Sequence, residues 1–320
     1  MSDGTGENRR VFVVLNPMAG SCMAEDVRQT LARHFQDAYE VYETTGAEEE
    51  NVAEIVRAAL ARGFGIVMAI GGDGTVSDVA EALVGTDVPM GVVAAGTANV
   101  FARELELPLD IEGACALVAD RHATTSVDAM RIGDKYFVLQ IGIGLDSLMI
   151  RDTDRAAKRR FGRAAYLWTA FTRLIGYQPV RFTILVDGKR SRPRALQVLV
   201  ANGGVLGVPP FRWGPHIQPN DGRIDVCIVS ARTVLDYLGV TWHMLTGQQR
   251  RDRNVRYIGA RDSITISADQ PLPVQADGEI IGETPIQIQV VRDAVRVIVP
   301  ATEQEQPREA VDAELVDAEA

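Results

Sequence analysis

The sequence predicts an α/β half followed by an antiparallel β-sandwich, and three observations carry that reading. Residues 11–107 alternate short apolar runs with amphipathic helical patterns. Each apolar run there ends abruptly in a turn rich in glycine, asparagine or threonine. After about residue 125 the grammar changes to strands paired through Gly-Asp and Asp-Gly turns. Alternating strands and helices need a parallel sheet covered on both faces, whereas tight turns join antiparallel strands.

Taken in order, Val11 to Leu15 is a continuous apolar run, as in a strand buried on both faces. It ends in the turn Asn16-Pro17-Met18-Ala19-Gly20-Ser21, and Val27, Leu31 and Phe35 then mark a helix face. Tyr39 to Thr44 reads as a second strand closing on Thr45-Gly46, and Val52, Ile55, Val56, Ala59 and Leu60 as a second helix. A third strand, Ile66 to Ile70, stops at Gly71-Gly72-Asp73-Gly74-Thr75, and Val76, Val79, Ala80 and Leu83 follow with helical spacing. A fourth, Met90 to Ala94, stops at Gly96-Thr97-Ala98-Asn99 before another helical pattern, and a last helix runs about Ile111 to Ala119.

Beyond the boundary, expected near residue 125, strands are predicted at 126–132 and 135–142, then at 180–186 and 194–201 around Asp187-Gly188-Lys189. Further strands are expected at 223–230, 256–259, 263–267, 285–290 and 294–299, in the style of a sandwich. The last of these, near 294–300, is also a candidate to return to the first domain. Two helical stretches interrupt the strands, about 154–176 and 234–249. The expected organisation is therefore an α/β domain over 1–125, a sandwich over 126–299 and an acidic, disordered tail over 301–320.

Charge and composition narrow the function. The net charge is −10, but the tail from Ala301 carries seven acids against Arg308 alone, so the rest stands near −4. That balance argues against nucleic acid, whose binding needs cations to displace counterions. Cys22, Cys115 and Cys227 are odd in number and lack metal spacing, which reads as reduced thiols in a cytoplasmic protein. No leader pattern opens the chain and no apolar run reaches the roughly 18–20 residues of a membrane span. The four histidines show no metal spacing.

The glycine turns carry the chemistry. In an open parallel sheet, ligands sit at the carboxyl ends of the strands, so the turns at 16–20, 45, 71–75 and 96–99 should share one edge. Gly71, Gly72 and Gly74 let backbone amides approach a ligand closely beside a helix N-terminus, where anions are stabilised. Two such turns on neighbouring strands read as a nucleotide-phosphate site. Asp73 suits a phosphate-bound Mg²⁺, or receipt of a substrate proton, or a plain N-cap. Thr97 and Asn99 suit phosphate contact or capping, and Thr45 a nucleotide contact or a turn.

Six segments, in order, resemble the diacylglycerol kinase catalytic-domain family, which includes bacterial lipid kinases and sphingosine kinases. They are Asn16 to Gly20, Gly71 to Val76, Gly96 to Asn99, Gly142-Ile143-Gly144-Leu145-Asp146, Asn220 to Val226, and Asp277-Gly278-Glu279. The resemblance implies a Rossmann-like nucleotide-binding domain of the phosphofructokinase and NAD kinase kind and a β-sandwich, with the active site between them. It implies ATP-dependent phosphorylation of a lipid hydroxyl with Mg²⁺, as in phospholipid metabolism. By position it assigns Asn16, Pro17, Met18, Ala19, Gly20, Thr45, Gly71, Gly72, Asp73, Gly74, Thr75, Val76, Ser77, Thr97 and Asn99 to the nucleotide. It assigns a separate metal site to Gln218, Asp221 and Arg223, where Asp221 alone also reads as a turn residue. Asp277 or Glu279 becomes the base that takes the lipid's proton, although Asp277-Gly278 by itself reads as a hairpin turn.

The sequence departs from that pattern at Ser77-Asp78, where the family has Asn-Glu, at Val100, where it often has an acid, and at 207–213, where a glycine cluster is usual. Arg151, Arg155, Lys158, Arg159, Arg160 and Arg163 precede Tyr166, Leu167, Trp168, Phe171 and Leu174. A second stretch, Tyr237, Leu238, Trp242 and Leu245, precedes Arg250, Arg251, Arg253 and Arg256. Basic–aromatic helices suit an anionic membrane surface or packing on the sandwich. The leading expectation is a cytoplasmic lipid kinase that visits the membrane. A soluble-substrate kinase of the NAD kinase or phosphofructokinase type, and a catalytically silent nucleotide- or lipid-binding protein, are the alternatives. A homodimer is left open, because the sequence does not set oligomeric state.

Overall fold

The computed structural model describes residues 10–20, 24–47, 50–120, 122–145, 147–148, 178–206, 211–214, 216–231 and 234–301. Four strands, β1 (Val11–Leu15), β2 (Tyr39–Glu43), β3 (Ile66–Gly71) and β4 (Met90–Ala94), alternate with α1 (Ala24–Phe35), α2 (Val52–Ala61) and α3 (Asp73–Leu83). Their spatial order is β4-β3-β1-β2, all parallel, so their carboxyl ends line one edge. β1 and β3 are buried along almost their whole length, which is why their sequences are continuous apolar runs rather than alternating ones. Helix α2 starts where the Asn51 side chain accepts from Glu54 N. Short α4 (Val100–Glu104) and α5 (Ile111–Ala119) follow β4, and the Asp110 side chain caps α5 by accepting from Gly113 N.

The second half is antiparallel. β5 (Ala123–Ile132) and β6 (Lys135–Phe137) form a hairpin, and β7 (Gln140–Gly144) opens a second sheet. β8 (Val180–Val186), β9 (Lys189–Ser191) and β10 (Arg194–Ala195) lie at the far edge of the first sheet. β11 (Gln197–Ala201), β12 (Ile224–Val229) and β13 (Val255–Ala260) join the second. Between the last two come α6 (Val234–Thr246) and a single 3-10 turn (Gln249–Arg251). β14 (Ser263–Ala268) returns to the first sheet, and β15 (Pro273–Ala276) with β16 (Glu279–Glu283) closes the second, in the order β13-β12-β11-β7-β15-β16. Both sheets send alternate side chains into one apolar layer holding Phe182, Ile184, Ile141, Ile143, Val226 and Ile266.

The predicted strands at 285–290 and 294–299 are one continuous strand, β17 (Ile286–Val299), whose register shifts between Val291 and Val295. A polar Arg292-Asp293 at the shift, with Asp293 at φ 48°, is what reads as a turn in the sequence. β17 pairs antiparallel with β14 in its first half and parallel with β4 at Val297, and β5 runs antiparallel beside it from Gln289 to Val299. The pair crosses both cores. Val127, Ala129, Val295 and Val297 pack with the α/β helices, while Met130, Ile286 and Ile288 pack inside the sandwich. The expected helix at 154–176, residues 207–210 and the tail from 302 lie outside the described residues.

Because one strand serves both cores, damage to either end should be felt by both. Ile288→Ala should cost about 2–5 kcal/mol, as large-to-small core changes do. Denaturant unfolding followed by circular dichroism and by pulsed proteolysis of the α/β half should give one coincident transition, displaced to lower denaturant. An α/β half melting at its original midpoint would contradict the shared-strand account.

Candidate active site

Three turns at the carboxyl edge of the parallel sheet are packed backbone to backbone. A Cβ on Gly20 would lie 1.9 Å from Ala95 O, and one on Gly96 2.5 Å from the Gly72 Cα. A Cβ on Gly71 would meet the Thr75 hydroxyl at 2.4 Å. Side chains here would push the turns apart, so contact requires glycine at these positions, and Gly20 at φ 62° favours it by backbone conformation as well. The polar groups tie the turns together. Asn16 Oδ1 accepts from Met18 N (3.0 Å), and its Nδ2 donates to Thr75 Oγ1 (3.4 Å). Asn99, left-handed at φ 50°, closes its own turn by accepting from Gly96 N (2.9 Å) and donating to Gly96 O (3.0 Å).

Asp73 is the first residue of α3, yet its carboxylate caps a different helix. Oδ1 accepts from Phe101 N at 3.1 Å, at the start of α4. Burial pushes this carboxyl above its usual range, against the backbone donors of 99–101 that pull it down. The cap locks the Gly71–Thr75 turn to the Gly96–Asn99 turn. Thr97 is exposed on the second turn, while Thr75 and Val76 are buried beneath the first. Pro17 and Met18 are exposed at the rim. Thr45 sits at the end of β2, but its N–H and hydroxyl, with Gly46 N, all donate to the Glu50 carboxylate at 2.9–3.2 Å.

Asp277 and Gly278 form a turn with φ 47° and 95° between β15 and β16, the geometry of a two-residue hairpin. That turn reaches the first domain. Ser77, one turn of α3 beyond Asp73 and so roughly 6 Å along its axis, donates to Asp277 Oδ2 at 2.7 Å. Val138 N donates to the same oxygen (3.1 Å), and Leu139 N and Gln140 N donate to Oδ1 (3.2 and 2.9 Å). Four donors fill the roughly four lone-pair sites of a carboxylate. Burial nonetheless raises the Asp277 carboxyl above its usual range. Glu279 is exposed and its carboxylate has no hydrogen-bond partner among the described residues. Beside it stands Asp78, solvent-accessible but pushed up to about 6 by desolvation first, then by the charges of Glu279 and Glu81.

Gln218, Asp221 and Arg223 lie on the loop before β12, where Asp221 and Arg223 pair with each other. Gln218 and Asp221 are exposed. Asp221 Oδ1 accepts from Arg223 N (3.1 Å), and the Arg223 guanidinium lies 3.2 Å from Asp225 and 3.8 Å from Asp221. No cluster of three or more His, Cys, Asp or Glu able to hold a metal occurs among the described residues. The loop is anchored by Asp128, which sequence reasoning missed. Asp128 is almost fully buried, and its carboxylate accepts from Gly222 N (2.8 Å) and Asp293 N (2.9 Å). Buried Asn202 donates to the carbonyls of Asp128 (2.7 Å) and Val138 (2.8 Å). The signal was a lone acid in the apolar strand Ser126-Val127-Asp128-Ala129-Met130.

Comparison with known proteins agrees with this architecture. A model of the diacylglycerol kinase catalytic domain matches residues 10–132, and one of the YegS C-terminal NAD kinase beta sandwich-like domain matches residues 140–299. The chain belongs to the diacylglycerol kinase catalytic-domain family. A diacylglycerol kinase of Mycobacterium tuberculosis is 29% identical over 91% of this chain and 95% of its own. One of Bacillus subtilis is 25% identical over 93% and 99%. A crystal structure of a diacylglycerol kinase from Bacillus anthracis superposes with a TM-score of 0.74, covering 91% of this chain and 97% of that one at 23% identity, which speaks to the fold.

The raised Asp78 carboxyl gives a signed prediction. With its folded value above the unfolded 3.8, its stabilising contribution is fully present below that pH and lost as pH rises through about 6. Asp78→Asn should therefore melt higher than the parent at neutral pH and match it below pH 3.8. Thermal melts across that window check both limits; a variant no more stable than the parent at neutral pH would refute the crowding.

Proposed function

We propose that this family member transfers the γ-phosphate of ATP to the hydroxyl of a lipid of the diacylglycerol class. The single observation that carries this reading is the Ser77–Asp277 hydrogen bond, which brings the Asp277-Gly278-Glu279 turn of the sandwich against the helix that opens from the phosphate-type glycine turn. A donor site and a proton acceptor thus share one cleft. The contact-packed glycines of 20, 71 and 96 and the N-termini of α3 and α4 support nucleotide phosphates at that edge. A nucleotide-borne Mg²⁺ needs only one or two protein carboxylates, and Asp73 is the carboxylate at these turns. When bound, the ion neutralises the charge of the phosphates.

The two carboxylates of the sandwich turn take different roles. Asp277 has its lone pairs filled, so it positions the turn. Glu279, free and exposed two residues on, takes the proton of the acceptor hydroxyl. Ser77 supplies the cross-cleft donor through its hydroxyl, where relatives of this pattern have asparagine. Thr45 acts through Glu50, whose carboxylate occupies its donors, rather than by direct contact.

Purified protein with ATP, Mg²⁺ and a lipid panel including diacylglycerol should show lipid-dependent phosphate transfer; none across the panel would reject the reading. Glu279→Gln should lower kcat by about 10²–10⁴-fold while leaving nucleotide affinity within about twofold. Asp277→Asn should lose less in kcat and more in thermal stability, since it weakens four hydrogen bonds. A larger kcat loss in Asp277→Asn than in Glu279→Gln, with unchanged stability, would reverse the assignment of base and positioner.

A further inference from the structure

Helix α6 leaves a face uncovered. Trp242 is 64% exposed and Leu245 43%, and their spacing of three places them on one side of the helix. The helix ends at Gly247, φ 70°, where Gln248 N reaches back to His243 O at 2.9 Å. The chain then presents Arg250, Arg251 and Arg253, all exposed, the last with 89% of its side chain in solvent. Arg253 has a distant partner in Asp236 at 4.0 Å. Arg250 and Arg251 have no carboxylate within ion-pair distance among the described residues. The other acid of this region, Asp252, is buried and engaged by His243 Nδ1 at 2.8 Å. An otherwise acidic chain, net −10, thus concentrates uncompensated cations beside an exposed tryptophan and leucine.

We propose that α6 and the arginines after it are the docking face for an anionic bilayer. Tryptophan belongs at the boundary between headgroups and acyl chains, leucine beneath it, and arginines among anionic headgroups. Two further observations fit that occupant. The face is rigidly wired to the cleft: buried Gln249 donates to Arg212 O at 2.7 Å, and Arg212 pairs with Glu104 of α4 at 2.7 Å. A groove of about 340 Å³ opens beside that same arginine, with Leu107, Leu109, Leu206 and Phe211 as apolar wall and Arg103 and Glu106 as charged lining, and suits an acyl chain below a polar headgroup. The inference rests on the lipid-kinase reading for its purpose, but its surface stands on exposure and charge.

The test separates the two. Cosedimentation of the full chain with vesicles of phosphatidylcholine alone, or with about one third phosphatidylglycerol, should show binding to the anionic vesicles only, weakened by salt. Trp242→Ser with Leu245→Ser should weaken binding at least about tenfold. Arg250→Gln, Arg251→Gln and Arg253→Gln together should remove the preference for phosphatidylglycerol. Both variants should melt like the parent, and both should phosphorylate a water-soluble short-chain diacylglycerol at the parental rate. Vesicle binding without phosphorylation of any lipid would sink the kinase reading and keep the docking face. Parental binding by both variants, no vesicle binding by the parent, or self-association of the parent that Trp242→Ser abolishes would overturn the docking face.

Discussion

The fold hangs on one buried carboxylate. Asp128 lies in β5 where that strand passes from one core to the other, and its two oxygens accept from Gly222 N and Asp293 N. The first bond fixes the loop before β12; the second fixes the shift in β17. Its own N–H donates to Pro219 O (2.7 Å), and its carbonyl takes Asn202. Pro219, Asn202, Gly222 and Asp293, from four segments at the junction of the two halves, all meet at this residue. Burial raises the Asp128 carboxyl, opposed by those two amides. A buried acid of this kind is tolerated because the donors are fixed backbone, which needs no reorganisation to hold the charge.

Around that junction the cleft is assembled by substitution of partners rather than by addition of groups. Ser77 reaches Asp277, Asp73 reaches the α4 amides, and Glu50 reaches Thr45 and Gly46. Asp277 and Asp73 satisfy donors on another segment, while Glu50 closes its own turn. Glu279 and Asp78 are the carboxylates left over, and they stand side by side near Lys135. Which acids tie segments together follows from which lone pairs are occupied.

Much of this was legible in the sequence because the parallel half obeys local rules. The buried strands β1 and β3 read as apolar runs, and the glycine turns announced themselves by composition. The strand–helix alternation fixed the fold class. What local rules cannot see is pairing across long separations. Nothing near Ser77 says that its partner lies 200 residues on. Nothing at Arg292-Asp293 distinguishes a turn from a bulge inside a 14-residue strand, because polar residues serve either. Val76, matched to a binding motif by position, packs its side chain in the core. Thr45 has a partner in Glu50 that its turn does not announce, since a turn amide looks free until the side chain that fills it is placed.

Strand β17 also sets the order in which this protein can be finished. It closes the α/β sheet beyond β4 and pairs with β5 and β14, all of which precede it in the chain. On the ribosome, β4 and β5 emerge with apolar edges and wait for more than half the chain to follow. Neither half can complete its core until β17 has emerged, so the two cores are completed together. The interval is one of exposed strand edges, the condition in which chains depend on chaperones and are open to mispairing.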